Sequence, residues 1–195
     1  MLAPTYPAAV VAGNVETSQH VTNALFGALG ALSNSEGTMN NLTFGNDTHQ
    51  YYETICAGAP AGRLNDGHEF SGQAGVHVHM TNSRLTDPEI LESRYPVLLE
   101  RFGIDEGSGG AGRVRGGDGT TRVIRFLEEM DLSILSSHRT NPPQGLAGGG
   151  AGRCGRTEIR RLSGNVEELS ASDQTSVAPG EAVIVTTPTA GGFGA

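Results

Sequence analysis

The stretch Gly109–Gly119 reads G-G-A-G-R-V-R-G-G-D-G, with two arginines two positions apart and glycine on both sides of them. Glycine lets backbone segments approach closely and adopt positive φ, and arginine offers a planar fork of donors that suits carboxylates and phosphates. The stretch therefore predicts either a tight turn assembly, whose arginines pair with the chain's surplus carboxylates, or a cradle for an anion or substrate. If the stretch is a cradle, the candidate residues for binding a substrate or anion are Gly109, Gly110, Arg113, Arg115, Gly116 and Gly117.

The glycines of this stretch also form the pattern G-x-G-x-x-G at residues 107–112, and the pattern recurs at 150–155. A dinucleotide-binding fold needs a strand before this pattern and a helix after it. Neither copy is followed by helical periodicity, so the sequence argues against a Rossmann domain.

Composition bounds the class of protein. The 195 residues are enough for one domain with a sizeable core, and 29 glycines without a G-X-Y period indicate many tight turns. The net charge is -8 and all 13 basic residues are arginine. This balance argues against a nucleic-acid or polybasic membrane partner, and the absence of lysine removes the P-loop and Schiff-base chemistries.

The cysteines and the hydropathy pattern indicate a compartment. Cys56 and Cys154 are the only cysteines, which is too few for a disulfide framework or a zinc site, so we expect two free thiols in a reducing cytoplasm. No apolar run reaches the ~18–20 residues of a membrane helix, and the N-terminus carries no basic region of a signal peptide. We therefore expect a cytoplasmic protein that does not enter the membrane.

The N-terminal part predicts one long helix from about Val15 to Leu32, with Asn14 as its N-cap. Apolar residues follow helical spacing and form one stripe: Val21, Ala24, Leu25, Ala28, Leu29 and Leu32. The polar segment 35–46 that follows is a loop or irregular strand. Its amides both donate and accept, so Asn40 and Asn41, together with Asn14, are candidates for lining a binding pocket.

The middle of the chain offers a candidate metal site. Residues 51–56 read as a strand, and Val76–Met80 alternates in the manner of a half-buried strand. That alternation places His77 and His79 on one face, where they are candidate ligands of a divalent metal; the alternative is a pair of ordinary hydrogen-bonded histidines. Asp87 as N-cap and Pro88 at the first helical position predict a short helix to Arg94.

The remainder reads as short strands and glycine turns. Strands are predicted at 97–104, 120–127, 132–137, 156–162, 166–169 and 181–187, with hairpin turns at 128–131 and 163–165. His138 and Arg139 stand before Asn141-Pro142-Pro143, a rigid turn that either presents both side chains to a cleft or simply closes a strand. The fold class is thus α+β, with an N-terminal helix and mixed segment over 1–96 and a barrel- or sandwich-like β-rich half over 97–195.

Several long motifs occur together in a recognisable order. They are G-N-V-E-T-S-Q at 13–19, G-T-M-N-N at 37–41, H-M-T-N-S-R at 79–84, D-P-E at 87–89 and the glycine-arginine stretch. In this order they resemble the C-terminal part of the hydantoinase B/oxoprolinase family, most closely its ATP-dependent 5-oxoprolinase branch. The resemblance covers nearly the whole chain and implies that residues 1–195 form one C-terminal fragment of such a domain.

The resemblance implies an ATP-driven opening of a cyclic amide, namely 5-oxo-L-proline to L-glutamate in glutathione metabolism. It implies a hydantoinase A-type portion or subunit that binds ATP and Mg²⁺, a possible divalent metal, and a homo-oligomer. It assigns no catalytic residue in this chain, which we expect to be inactive alone. Two alternatives stay open: an N-methylhydantoinase or acetone-carboxylase-like B-type subunit, and a non-catalytic assembly module of such an enzyme.

Overall fold

The computed structural model describes residues 5–7, 13–81 and 83–195. Within that part of the chain short helices precede and flank antiparallel sheets, which confirms the predicted α+β class and the sandwich-like alternative. No helix among the described residues is long and apolar enough to span a membrane.

The first helix is shorter than predicted. A π-helical turn, Gly13–Thr17, leads into α1, Ser18–Ala28. Gly30 adopts φ +68°, and the amides of Gly30 and Ala31 donate to the carbonyls of Gly27 and Phe26. This glycine-terminated cap ends the helix four residues before the predicted Leu32, because a left-handed residue cannot continue a right-handed helix.

The second helix, α2, spans Pro88–Arg94 as predicted. The Asp87 side chain accepts hydrogen bonds from the amides of Glu89 and Ile90 at 3.0 and 3.4 Å. Pro88 costs nothing at this position because the first helical N–H has no partner within the helix.

The strands, in chain order, are β1 Asn41–Gly45, β2 Gln50–Thr54, β3 Gly62–Arg63, β4 Glu69–Phe70, β5 Val97–Ile104, β6 Thr120–Phe126, β7 Met130–Leu135, β8 Arg156–Arg160, β9 Val166–Leu169, β10 Ser172–Val177 and β11 Ala182–Thr186. One sheet has the order β10-β7-β1-β2 and a second has the order β5-β6-β11-β8-β9. All the pairs are antiparallel. Since β1 pairs with β7, the two parts of the chain divided at residue 96 share a sheet.

Two predicted local features are wrong. The turn after β6 does not close a hairpin, because β6 belongs to the five-stranded sheet and β7 to the four-stranded one; the chain crosses there between layers. The predicted strand Val76–Met80 is irregular, with only Val76 in an isolated bridge to Ala57.

The inward faces of both sheets meet in one core. Phe44, Leu132 and Ile134 of the four-stranded sheet pack in the same buried cluster as Ile124 and Val183 of the five-stranded sheet. Alternate residues of an antiparallel strand face one side, so each sheet contributes one apolar face and leaves the other for different contacts. The ends of β1 and β7 then carry the polar residues described next.

Candidate functional site

A set of polar side chains gathers where β1 begins and β7 ends. We call it the polar cluster and define it as Glu16, Glu36, Asn40, Asn41, His138 and Arg139. Glu16 lies in the π-helical turn, the middle three lie just before or at the start of β1, and the last two follow β7. Antiparallel pairing of β1 with β7 places Asn41 opposite Leu135, and this register brings residues about 100 positions apart into contact.

Asn40 links a buried acid to an arginine. Its Nδ2 donates to Glu36 Oε2 at 2.6 Å and to the Ile55 carbonyl at 3.2 Å. Its Oδ1 accepts from Arg139 Nη1 and Nη2, both at 3.4 Å. Asn40 and Glu36 are completely buried, so the amide fixes the position of a carboxyl that water does not reach.

Asn41 links the other acid to a tyrosine. Its Nδ2 donates to Glu16 Oε1 at 2.8 Å, and its Oδ1 accepts from the Tyr52 hydroxyl at 2.6 Å. Glu16 Oε1 also accepts from the Thr38 hydroxyl at 2.6 Å and from the Met39 amide at 3.3 Å. Asn41, Tyr52 and Val15 line a surface cavity of about 740 Å³ on the four-stranded sheet, so this chain of hydrogen bonds connects the cluster to solvent.

His138 stands in the cluster as a neutral acceptor. Its Nδ1 donates to the Asn141 carbonyl at 2.6 Å, which leaves Nε2 as the unprotonated nitrogen of the neutral ring. Gly37 adopts φ +64°, and a Cβ there would lie 2.5 Å from His138 Nε2. Glycine is therefore required at position 37 both for its backbone conformation and for the approach of this ring.

Backbone strain is concentrated at the same place. Among the described residues four non-glycine residues have positive φ, and three of them, Asn40 (45°), His79 (56°) and His138 (50°), lie in the cluster or border it. His79 Nε2 donates to Asn23 Oδ1 at 3.0 Å, and the same oxygen accepts from the Ser35 amide at 3.0 Å. Such conformations cost free energy and persist mainly at functional sites.

The cluster also holds buried polar atoms that have no hydrogen-bond partner within the described residues. They are Glu16 Oε2, Glu36 Oε1, His138 Nε2, Arg139 Nε and, beside the cluster, Asn23 Nδ2. Buried polar atoms are normally paired, and exceptions need an explanation such as a catalytic role or an unseen water or ligand. The unpaired acceptors are the two carboxyl oxygens and His138 Nε2, and the unpaired donors are the nitrogens of Arg139 and Asn23.

Burial shifts the protonation of these groups. It raises the pKa of Glu36 well above 4.5, and the nearby Glu16 carboxylate adds to the rise while Asn40 and Arg139 oppose it. It also raises the pKa of Glu16 and lowers that of His138. Arg139 has a pKa lowered by burial to about 10, partly offset by both carboxyls, so it stays charged near neutral pH.

The glycine-arginine stretch has a packing role in the structure. A Cβ on Gly116 would lie 2.2 Å from the Ala190 carbonyl oxygen, and one on Gly117 would lie 2.0 Å from that of Gln73. Gly109 and Gly110 are crowded by backbone in the same way. We call this set of crossing glycine segments, residues 58–61, 72–73, 109–119, 144–152 and 189–194, the glycine junction.

The arginines of the stretch have different partners. Arg113 makes a bidentate ion pair with Glu69 at 2.7 and 2.9 Å, and Arg115 Nη2 donates to the Gly109 carbonyl at 3.3 Å. The pairing of Arg113 with a carboxylate is the arrangement expected of the turn assembly. Anion binding at this stretch stays a prediction.

The candidate metal ligands lie near the cluster. His79 is engaged by Asn23 and stacks on Phe26 at 5.7 Å, whereas both ring nitrogens of His77 are buried without a partner among the described residues. In that part of the chain no three His, Cys, Asp or Glu side chains are grouped to hold a metal ion. Metal binding by His77 and His79 therefore stays a prediction, and the remaining candidate, Asn14, has its side chain outside the described residues.

Sequence reasoning found only part of the cluster. The sequence predicts Asn40 and Asn41 as pocket-lining amides and a rigid turn after His138 and Arg139, but that turn also fits the closing of a strand. Glu36 carried no signal, because a single glutamate in a polar segment reads as exposed. Asn40 and Arg139 act on its carboxyl, and Arg139 lies about 100 positions away, where no local pattern places it beside Glu36.

Known proteins provide an independent comparison. The family described as Hydantoinase B/oxoprolinase matches residues 1–195. A protein named 5-oxoprolinase 1 from Arabidopsis thaliana is 48% identical over 193 residues, which cover 99% of this chain and 15% of that protein. A protein named 5-oxoprolinase from Dictyostelium discoideum is 44% identical over 194 residues, with coverage of 100% and 15%. The chain thus spans about 15% of the length of these curated relatives.

A solved structure shares the fold. The crystal structure of ATP-dependent caprolactamase from Pseudomonas jessenii superposes with a TM-score of 0.69 at 23% identity, covering 84% of this chain and 30% of that chain.

Proposed function

Because this chain belongs to the hydantoinase B/oxoprolinase family, we propose that it is one portion of an ATP-dependent hydrolase that opens 5-oxo-L-proline to L-glutamate. The observation that carries the proposal is the identity of 44% and 48%, over essentially the whole chain, to two proteins named 5-oxoprolinase. The two free thiols support a reducing cytoplasm as its location.

The polar cluster fits the hydrolytic half of such a reaction. When water adds to the lactam carbonyl carbon and the carbon–nitrogen bond breaks, charge develops on oxygen and the ring nitrogen takes up a proton. Burial raises the pKa of Glu36 and so favours the protonated form that can donate a proton, and the charged Arg139 offsets negative charge. A neutral His138 with a free Nε2 suits acceptance of a proton from water.

ATP and Mg²⁺ do not fit the residues described here. The chain has no lysine, and neither glycine motif leads into a helix whose N-terminus would face phosphates. We therefore assign the nucleotide to a hydantoinase A-type portion or subunit outside this chain. The unpaired nitrogens of His77 suit a metal ligand, but the ligand set in these residues is incomplete, and the proposed role of the cluster uses no metal.

The test uses the full-length enzyme, assayed for glutamate release from 5-oxoproline with ATP. We expect Glu36→Gln to lower turnover by about 10²-fold or more, as for loss of a proton-transfer group, while the exposed control Glu168→Gln keeps it. Glutamate release by the isolated 195 residues would contradict their assignment as a portion of a larger site.

A substrate panel separates the enzyme alternatives. Preferential opening of N-methylhydantoin would support the N-methylhydantoinase alternative, and carboxylation of acetone would support a carboxylase subunit. Sedimentation of the same preparation measures whether the enzyme is the homo-oligomer that we propose.

The assembly-module alternative draws on the glycine junction, whose crowding is structural. Replacing Arg113 and Arg115 by alanine in the full enzyme distinguishes the two roles. Loss of turnover with assembly intact would favour an anion or substrate site at this stretch, and loss of assembly would favour the module.

A further inference from the structure

We propose that the exposed apolar stripe of α1 is a docking surface for an uncharged, apolar surface in the part of the same enzyme that lies outside these 195 residues. The proposal rests on the proposed function only in taking this chain to be one portion of a longer enzyme. We define the stripe as Val21, Ala24, Leu25, Ala28 and Leu29.

The helix is oriented opposite to what its amphipathic pattern predicts. Val21, Leu25 and Leu29 are 52%, 57% and 69% exposed, whereas the buried residues of α1 are Gln19 and Asn23. A helix in a folded protein normally turns its apolar stripe to a core. Here that stripe faces outward and the polar face is inward.

The inward face is held by specific hydrogen bonds. Gln19 Nε2 donates to the Val78 carbonyl at 3.1 Å, and Gln19 Oε1 accepts from the Met80 amide at 3.0 Å. Asn23 Oδ1 accepts from the Ser35 amide at 3.0 Å. Rotating the helix to bury the stripe would break these bonds, so the outward orientation is built into the fold.

The size of the stripe favours a larger interface over a second copy. Its three large side chains expose on the order of 300 Å² of apolar surface, which is in the range of functional patches on monomers. Two stripes packed on each other would bury roughly 600 Å², well below the ~1,200–2,000 Å² of a stable interface. The stripe therefore suits one part of a more extensive contact.

The chemistry and the length of the enzyme identify the occupant. Helix α1 contains no Asp, Glu, Lys or Arg, so an ionic partner gains nothing from this face, and an apolar one gains burial. The whole chain matches a protein named 5-oxoprolinase but covers only 15% of that protein's length. Most of such an enzyme therefore lies outside this chain.

Docking on α1 would also act on the polar cluster. Two residues of the helix contact neighbours of the cluster: His20 Nε2 donates to Ser137 Oγ at 3.1 Å, and Asn23, on the face opposite the stripe, holds His79 at 3.0 Å. His20 also lies against His138, with ring centroids 5.5 Å apart. The helix that carries the stripe thus also contacts the proposed site through His20.

The experiment compares thiol accessibility in the full-length enzyme. Leu25→Cys and Leu162→Cys are matched, because Leu25 is 57% and Leu162 is 68% exposed within this chain. We expect maleimide to label the Leu25→Cys thiol at least about ten-fold more slowly than the same variant unfolded in denaturant, as for a covered site. The Leu162→Cys thiol gives the rate of an exposed reference.

A photo-crosslinking amino acid at position 25 then identifies the occupant by mass spectrometry. A crosslink to residues outside the 195 supports the proposal, and a crosslink to the same segment of a second copy overturns it. Labelling of the Leu25→Cys thiol at the unfolded rate also overturns it. These readouts do not use turnover, so an enzyme that proves inactive on 5-oxoproline contradicts the proposed function and leaves the docking surface to be judged on its own.

Discussion

Glu36 is an ionisable side chain in a fully buried position. Its carboxyl is completely buried, with Oε2 bonded to Asn40 and Oε1 unpaired within the described residues. A carboxyl removed from water favours its neutral form. The neighbouring Glu16 reinforces this preference, whereas Arg139 opposes it. Burial thus favours the neutral form of this carboxyl beside an arginine that stays charged.

The pH dependence of stability tests this account. The pKa of Glu36 in the folded protein is raised above 4.5. Its contribution to the free energy of unfolding is therefore fully present below the pKa that Glu36 has in the unfolded chain, and it is lost as the pH rises through the pKa of the folded protein. Glu36→Gln is always neutral, so its free energy of unfolding should fall less than that of the wild type between pH 4 and pH 8. The fall in the free energy of unfolding should differ between the two proteins by about 1.4 kcal/mol for each unit by which the pKa of Glu36 is raised.

Urea unfolding of both proteins across this pH range measures the two slopes. Glu16 is present in both proteins, so the difference between the slopes reports Glu36 together with its coupling to Glu16. Parallel curves for wild type and Glu36→Gln would show that Glu36 is ionised in the folded protein at neutral pH.

At the scale of elements, the glycine junction replaces side-chain packing by backbone packing. Its segments exchange hydrogen bonds, including Gly117 amide to Ala59 carbonyl at 2.9 Å and Ala190 amide to Gly117 carbonyl at 3.1 Å. Such close approach leaves no room for a Cβ. The many glycines of the chain are therefore concentrated where strands and loops cross.

Gly116→Ala tests this packing against a neutral control. A Cβ at position 116 would lie 2.2 Å from the Ala190 oxygen, whereas one at Gly103 has nothing within 4 Å. We expect Gly116→Ala to destabilise the protein by about 3 kcal/mol or more, since backbone must shift to relieve the clash. Gly103→Ala should stay close to wild type. Circular dichroism melts measure both, and equal melting temperatures would contradict a close-packed junction.

The helices and strands also show which features local sequence patterns can predict. Strands β5 and β9 have the predicted bounds, because Pro96 before β5 and the turn at Gly164, with φ +84°, before β9 are local signals. Strand β10, S-D-Q-T-S-V, gives no strand signal, since Val177 is its single apolar residue. No local pattern shows the orientation of α1, because it depends on His79 and Val78, which contact Asn23 and Gln19 from more than 50 positions away.

At the scale of the whole molecule, an ion pair joins the two layers of the sandwich. Arg122 of β6 and Glu53 of β2 are 2% and 3% exposed and form a bidentate pair at 2.7 and 3.1 Å. The Tyr51 hydroxyl donates to the same carboxylate at 2.8 Å, and the guanidinium lies 5.5 Å from the Phe102 ring centroid. The fold class was predictable from strand patterns, but this link was not, because a charged residue within a strand gives no sign of its partner.

Removing one member of the pair should destabilise the whole fold. Arg122→Met leaves Glu53 charged and buried, so we expect the free energy of unfolding to fall by about 3–5 kcal/mol. The double variant Arg122→Met/Glu53→Leu should recover most of that loss, because two apolar side chains leave no charge unpaired. The control is Arg113→Met, which breaks the equally bidentate but exposed pair with Glu69 and should leave the urea midpoint unchanged. If both single variants shift the midpoint equally, burial is not what makes the Arg122–Glu53 pair important.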